Sequence, residues 1–385
     1  MIHSKIAHPL GFTACFTEIE LVKNVNAKHH FTTEILIKPL TSLRFFFAMM
    51  VLALHYFDWT NYYSNQLLTR FFAATASCGV SFFFMLSGFI LSHAGDETEY
   101  SKPTNRVTFW IRRFARVYPL YLITLLISVL SYVKTNSDSY TWLMQLPLCI
   151  FGLQSFVPSP RWVYAFNPIS WSVSCELFFY LTFPFLFLLI RNKKPGLLGL
   201  YIAGTVMISF LFAANWKIVN YANPLMRIAD FMLGMLLFDF SLKKSNSLSR
   251  FRATFLEIGG ILLLILMLGL SYFVPSNLQA SILYWPAMLL ILWIFSNEKG
   301  ALSKMLSGRL FVYLGHISYS VYLLQHIIAI YLRAGLTRLG LMPSNMAYIA
   351  IHFFLLMLFS TLSYHFLELP TNRFFRRKLG QLFKV

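Results

Sequence analysis

The feature that most limits how this chain can fold is the recurrence of apolar runs about as long as a bilayer is thick. Ten such runs fall near 44–60, 71–93, 117–133, 174–190, 197–214, 225–241, 253–273, 280–296, 311–332 and 346–366. Each is close to the roughly 17–25 residues that a helix needs to cross a hydrocarbon core. Inside lipid the backbone must satisfy its own hydrogen bonds, which a helix does. The sequence therefore predicts an all-α polytopic membrane protein of about ten transmembrane helices. Composition agrees, since 12% of the 385 residues are charged, against roughly 25% in a soluble domain.

A net charge of +18 would suit a nucleic-acid binder, but the positions of the charges argue against one. Of the 32 Lys and Arg, 25 fall on alternate connecting segments that include both termini and 6 on the opposite set, with Arg227 at a span edge. Such a bias is the positive-inside pattern of an even number of spans with both termini cytoplasmic. The lipid bilayer is the partner implied, and nucleic acid is not. The chain divides into a cytoplasmic N-terminal extension at 1–38, a membrane domain at 39–370 and a basic cytoplasmic tail at 371–385. The extension has no uninterrupted apolar core of the kind a cleaved signal peptide carries. Cys15, Cys78, Cys149 and Cys175 show neither CxxC spacing nor metal-site intervals, so no metal site is expected. The longest segment between spans, 134–173, is aromatic and broken by proline. It is expected outside, with 142–157 as a re-entrant or interfacial helix.

Ionisable residues within spans are costly and mark function by default. Arg44 and His55 stand eleven positions apart in the first span, so at about 100° per residue they share a helix face, about 16 Å apart along the axis. Snorkelling by Arg44 and a hydrogen bond from His55 to a neighbouring helix are the plainer readings. Arg112, Arg113 and Arg116 precede the third span, with Arg113 and Arg116 on one face, as a phosphate cradle or an ordinary cytoplasmic cluster. Glu176 enters the fourth span from outside, with Tyr180 one turn away. A buried carboxylate needs a partner, so a His, an Arg or a ligand should lie near it. Cys175 has no local base to make it a nucleophile. Arg227 and Asp230 read as a structural pair, and His326, His352 and His365 as hydrogen-bonding residues. Asp58 follows His55 by three residues and either orients it or is solvated.

Six motifs in order give the chain a family likeness. They are Arg44 and His55 separated by ten residues, Gly79-Val80 leading to Ser87-Gly88-Phe89, and Arg113-x-x-Arg116 followed by Tyr118-Pro119. Later come Trp171-x4-Glu176-x3-Tyr180, then Leu314-Gly315 through Ser318-Tyr319 and Tyr322 to His326, and finally Glu368-x-Pro370. Over roughly 40–378 the chain resembles the acyltransferase-3 family of bacterial integral membrane O-acyltransferases. Thr41 and Ser42 depart from the Asp-Gly that the family often places before the first Arg.

The resemblance implies a location in the bacterial inner membrane and an acyl-CoA co-substrate, commonly acetyl-CoA, with no permanently bound cofactor. The implied acceptor is a hydroxyl of an extracytoplasmic carbohydrate or lipid-linked glycan, such as a lipopolysaccharide O-antigen or an exopolysaccharide. It casts His55, Glu176 and Arg44 as the catalytic residues, with His55 as general base or transient acyl carrier and Glu176 as its orienting partner or an acceptor-binding group. Arg44, Arg113 and Arg116 would hold the donor, and Trp171, Tyr180 and His326 the acceptor. The rival is a transporter or flippase for a glycolipid or small anion, because intramembrane charge also lines translocation paths. An inverted repeat would favour that rival, and the sequence shows none.

Overall fold

Most of each of the ten apolar runs is helical in the computed structural model, which describes residues 37–59, 66–95, 100–135, 139–211, 217–242, 248–274, 278–341 and 343–382. The N-terminal extension before residue 37 and the Asp58 side chain lie outside the described residues. In chain order the principal helices are α1 (Lys38–Trp59), α2 (Gln66–Ala94), α3 (Pro103–Thr135), α4 (Ser139–Ile150) and α5 (Trp171–Arg191). There follow α6 (Pro195–Leu211), α7 (Pro224–Leu242), α8 (Arg250–Leu270), α9 (Trp285–Ser296) and α10 (Arg309–Arg338). After α11 (Asn345–Ser363), a π-helical turn at Tyr364–Glu368 leads into α12 (Leu369–Leu382). No strand occurs among the described residues.

Local chemistry sets several boundaries. Proline opens α6 and α7, where its missing N–H costs nothing. Ser249 caps α8 by accepting from the Arg252 amide at 3.4 Å, and Ser344 caps α11 from the Ala347 amide at 3.3 Å. Six segments are long and apolar enough to cross a membrane: α1, α2, α3, α5, α8, and the α11 stretch running into α12. The other four runs are helical but shorter or more polar. The run expected at 280–296 is helical in α form only over Trp285–Ser296, two 3₁₀ turns preceding it. Its 12 residues rise only about 18 Å.

Burial ranks the helices by depth in the bundle. Within the spanning windows, α2 is 83% buried by the rest of the molecule, α8 28% and the α11–α12 stretch 22%. On α8 and α11, Phe255, Leu262 and Phe354 stand exposed, as lipid-facing residues do. Around α2, close contact depends on glycine. A Cβ on Gly88 would lie 2.0 Å from the Phe231 carbonyl oxygen, and one on Gly234 would lie 1.9 Å from that of Met85. The α2–α7 crossing is thus a backbone contact in both directions, as small residues allow between membrane helices. Gly315 lets α10 approach the Thr41 carbonyl of α1 in the same way.

Arg227 and Asp230 form the structural pair expected of them, buried at 3.0 Å. Arg227 also donates to the Ala280 carbonyl at 2.6 Å and to Ser81 Oγ at 2.7 Å, while Trp285 Nε1 donates to Asp230 at 2.5 Å. The pair ties α7 to α2, to the turn at Ala280 and to α9.

Candidate active site

The packing of α1, α2, α3, α5 and α10 leaves a cavity of about 390 Å³, completed by the π turn and the start of α12. Along α2 its lining runs from Val80 to Ala94, about 21 Å at 1.5 Å per residue, so the space is elongated along the bundle. Of the eight residues given site roles from the sequence, five line it: Arg44, Arg113, Arg116, Glu176 and Tyr180. They come from α1, α3 and α5, and only the tertiary fold brings them together. Glu368 and Arg373 join them from the π turn and α12. The charged lining is then four guanidiniums against two carboxylates, a net +2 with histidine neutral.

The carboxylates are held by specific partners. Tyr180 Oη donates to Glu176 one turn away on α5, and Trp110 Nε1 fixes that turn by donating to the Tyr180 carbonyl at 3.1 Å. Ser320 Oγ donates to Glu368. Arg44 lies within electrostatic reach of Arg116, Glu176 and Glu368, and two carboxylates beside two guanidiniums lower the cost of gathering like charge in a low-dielectric space. Tyr319 Oη donates to the Val117 carbonyl at 2.8 Å, locking α10 against the arginine-bearing part of α3. At the Val80 end, Tyr322 packs edge-on to Phe83 and shares a 2.9 Å hydrogen bond with Ser172.

His316, Tyr319 and Tyr322 of α10 line the cavity, and His326 stands one turn past Tyr322 on the same face. His55 is within electrostatic reach of His326 and His352. The histidines therefore cluster just beyond the Tyr322 end of the cavity. His352 has the hydrogen-bonding role expected of it. Its Nε2 lies 2.9 Å from the Gln325 carbonyl, which can only accept, so Nε2 carries the proton and Nδ1 accepts from Tyr56 Oη at 3.0 Å. His365 pairs with Tyr313 Oη at 3.3 Å.

Some expected roles find different surroundings. Glu176, read as a companion of His55 or an acceptor-binding group, has Tyr180 and Arg44 among its neighbours, and His326 and His352 lie within electrostatic reach of His55. Trp171, expected to hold the acceptor, is 3% exposed. It packs edge-on against Phe84, itself a lining residue, and 4.8 Å from the Tyr221 ring centroid. It braces the cavity wall from behind. Cys175 is buried, and its thiol donates to the Ala222 carbonyl at 3.3 Å.

Among the charged lining residues, Glu368, quoted in the sequence only as part of a motif, and Arg373 had been given no site role. The signal for Glu368 was Pro370 two residues on. Proline has no N–H to give and crowds the carbonyl four residues back, and the helix answers with a wide turn in which the Leu369 amide bonds to the Tyr364 carbonyl. Such π turns recur at functional sites.

The model of a family described as an acyltransferase domain matches residues 38–365. The chain belongs to this acyltransferase family. Acyltransferase MdmB of Streptomyces mycarofaciens is 38% identical over 159 residues, 40% of this chain and 40% of its own length. Nodulation protein 10 of Rhizobium leguminosarum bv. viciae is 24% identical over 204 residues, 48% of this chain and 53% of its own. A protein of Staphylococcus aureus (strain COL) whose name proposes O-acetyltransferase activity is 25% identical over 326 residues, 77% of this chain and 52% of its own. The chain thus spans about half, or less, of the length of these relatives. No solved structure matches it.

Proposed function

We propose that the protein transfers an acyl group, acetyl in the simplest case, from cytoplasmic acyl-CoA to a hydroxyl of an extracytoplasmic carbohydrate such as an O-antigen or exopolysaccharide. The observation that carries this reading is the elongated, net-cationic cavity, whose Tyr322 end lies one helical turn from His326, itself within electrostatic reach of His55. Its shape suits a donor with an anionic head and an extended arm. Arg113, Arg116 and Arg44 meet the phosphates, for which planar guanidinium forks are well suited. The arm lies along α2, and the thioester comes to the Tyr322 end. There an unprotonated His55 nitrogen removes the proton of the sugar hydroxyl. The sugar oxygen bonds to the thioester carbonyl carbon, the carbon–sulfur bond breaks, and the departing thiolate takes the proton back from the imidazolium. An imidazole fits this exchange because a neutral ring nitrogen can accept a proton and return it. Glu176 and Glu368 position Arg44, and His326 together with Tyr180 contacts the acceptor.

The reading places the protein in the bacterial inner membrane with ten spans and both termini in the cytoplasm. It is tested by mass spectrometry of surface polysaccharide from cells with and without the gene. An acyl mass lost with the gene, and restored by the wild-type chain but not by His55→Ala, is the expected result. An unchanged acylation pattern would sink the proposal.

A further inference from the structure

A second concavity, of about 410 Å³, is lined by Lys38, Arg250, Glu298, Lys299, Lys304 and Ser307. Four cations against one carboxylate give it a net +3. These cations do not form one basic run. They come from the start of α1, the start of α8, and the loop and short helix (Ala301–Leu306) between α9 and α10.

Hydrogen bonds, from exposed to fully buried, fix the three segments together. The Lys38 amide donates to Glu298 Oε1 at 3.0 Å. Ser42 Oγ donates to the Leu306 carbonyl at 2.6 Å, and the Ala301 amide to Thr254 Oγ1 at 2.9 Å. Glu257, fully buried on α8, accepts from the Leu302 and Ser303 amides at 3.0 and 3.2 Å. Gly300 makes room for that carboxylate, since a Cβ there would lie 2.1 Å from it. Glu298 itself has φ of 56°, a left-handed conformation uncommon outside glycine. The cations are therefore held close by a rigid frame, against their mutual repulsion, and an anion relieves that repulsion. Beside them Phe251 is 82% exposed, Leu310 65% and Met305 52%. A basic pocket next to exposed apolar side chains at a helix-bundle end matches the two parts of an anionic lipid.

We propose that this pocket binds the phosphate of an anionic phospholipid headgroup, with the acyl chains lying over Phe251 and Met305. Native mass spectrometry of the detergent-purified chain, titrated with phosphatidylglycerol, phosphatidylcholine or inorganic phosphate, tests it. A phosphatidylglycerol adduct should persist on the wild type and weaken about 25-fold in K299Q/K304Q, at roughly fivefold per lysine. It should be unchanged in K193Q/K194Q, whose lysines lie on a different basic segment, and phosphatidylcholine should not form it. Equal loss in both double variants would reduce the site to general surface charge and overturn the proposal. So would inorganic phosphate binding as tightly as the lipid, which would make this a free-anion site. Should K299Q/K304Q fail to fold, Arg250→Gln alone should weaken the adduct about fivefold from another segment, and no loss there would overturn the proposal.

Discussion

Two histidines within electrostatic reach of one another have different parts here, one structural and one proposed as catalytic. His352 has both ring nitrogens committed, one to a backbone carbonyl and one to Tyr56. His55 lies next to it beyond the end of the cavity, and in the proposed mechanism it is the base. Replacing His55 by Ala should lower transfer by about 10²- to 10⁴-fold, the usual worth of general-base catalysis, with protein level and CoA affinity nearly intact. Cys175→Ser should keep most activity, because this thiol is buried against a backbone carbonyl. Acceptor-dependent CoA release by the purified variants decides the matter. Near-normal turnover by His55→Ala with a dead Cys175→Ser would replace the mechanism with an acyl-cysteine route. At the donor end, Arg113→Ala or Arg116→Ala should weaken CoA binding about 10- to 150-fold, the loss of one charge-assisted contact of about 1.5–3 kcal/mol. Lysine at either position should rescue only part, since the planar fork is gone. Calorimetric titration of CoA analogues reads this directly. Unchanged affinity in both Ala variants would leave the two arginines as topological charge.

Among the elements, the α2–α7 crossing is the most exposed to single substitutions. Gly234→Ala places a methyl about where the Met85 carbonyl oxygen already sits, so the helices must part. Overpacking of this kind costs about 1–3 kcal/mol, and the thermal midpoint of the detergent-solubilised protein should fall accordingly. Gly259→Ala on α8, where nothing lies within 4 Å, should leave that midpoint unchanged or slightly raised. Equal behaviour of the two variants would show that the crossing is not close-packed. The helices themselves were legible because apolar length is a local property of sequence. The convergence of Arg44, Arg113, Arg116, Glu176 and Tyr180 was half legible, since spacing gives faces within a helix and says nothing of which faces meet. Glu368 was not legible as a site residue, because a π turn shifts the face on which it lies away from the regular helical period. Arg373 was hidden for a different reason. In sequence it reads as part of a basic tail that stops a span, and only the packing of α12 against α3 turns it into the cavity. Trp171 shows the converse limit: an aromatic residue beside a polar motif suggests a ligand surface, and in the structure it is buried edge-on against Phe84, a lining residue.

For the whole molecule, the proposed reaction has a direction, because donor and acceptor lie on opposite sides of the bilayer. That direction depends on the topology argued from charge: 25 of 32 Lys and Arg on the connecting segments that share a side with both termini. The cavity is consistent with this arrangement, since its lining takes residues from the start of α1, the end of α2 and the start of α12, all on the side proposed to be cytoplasmic. An introduced cysteine reports sidedness, and the background is favourable because Cys78, Cys149 and Cys175 are all buried. With Cys15 replaced by Ser, Tyr140→Cys at the start of α4 should react with a membrane-impermeant maleimide in cells whose outer membrane has been opened. Lys378→Cys on α12 should react only after the inner membrane is also breached. Labelling of position 378 in cells with an intact inner membrane would put the basic tail outside. The arginines of the cavity would then face away from the cytoplasmic acyl-CoA pool, and the direction of transfer proposed here would fail with the topology.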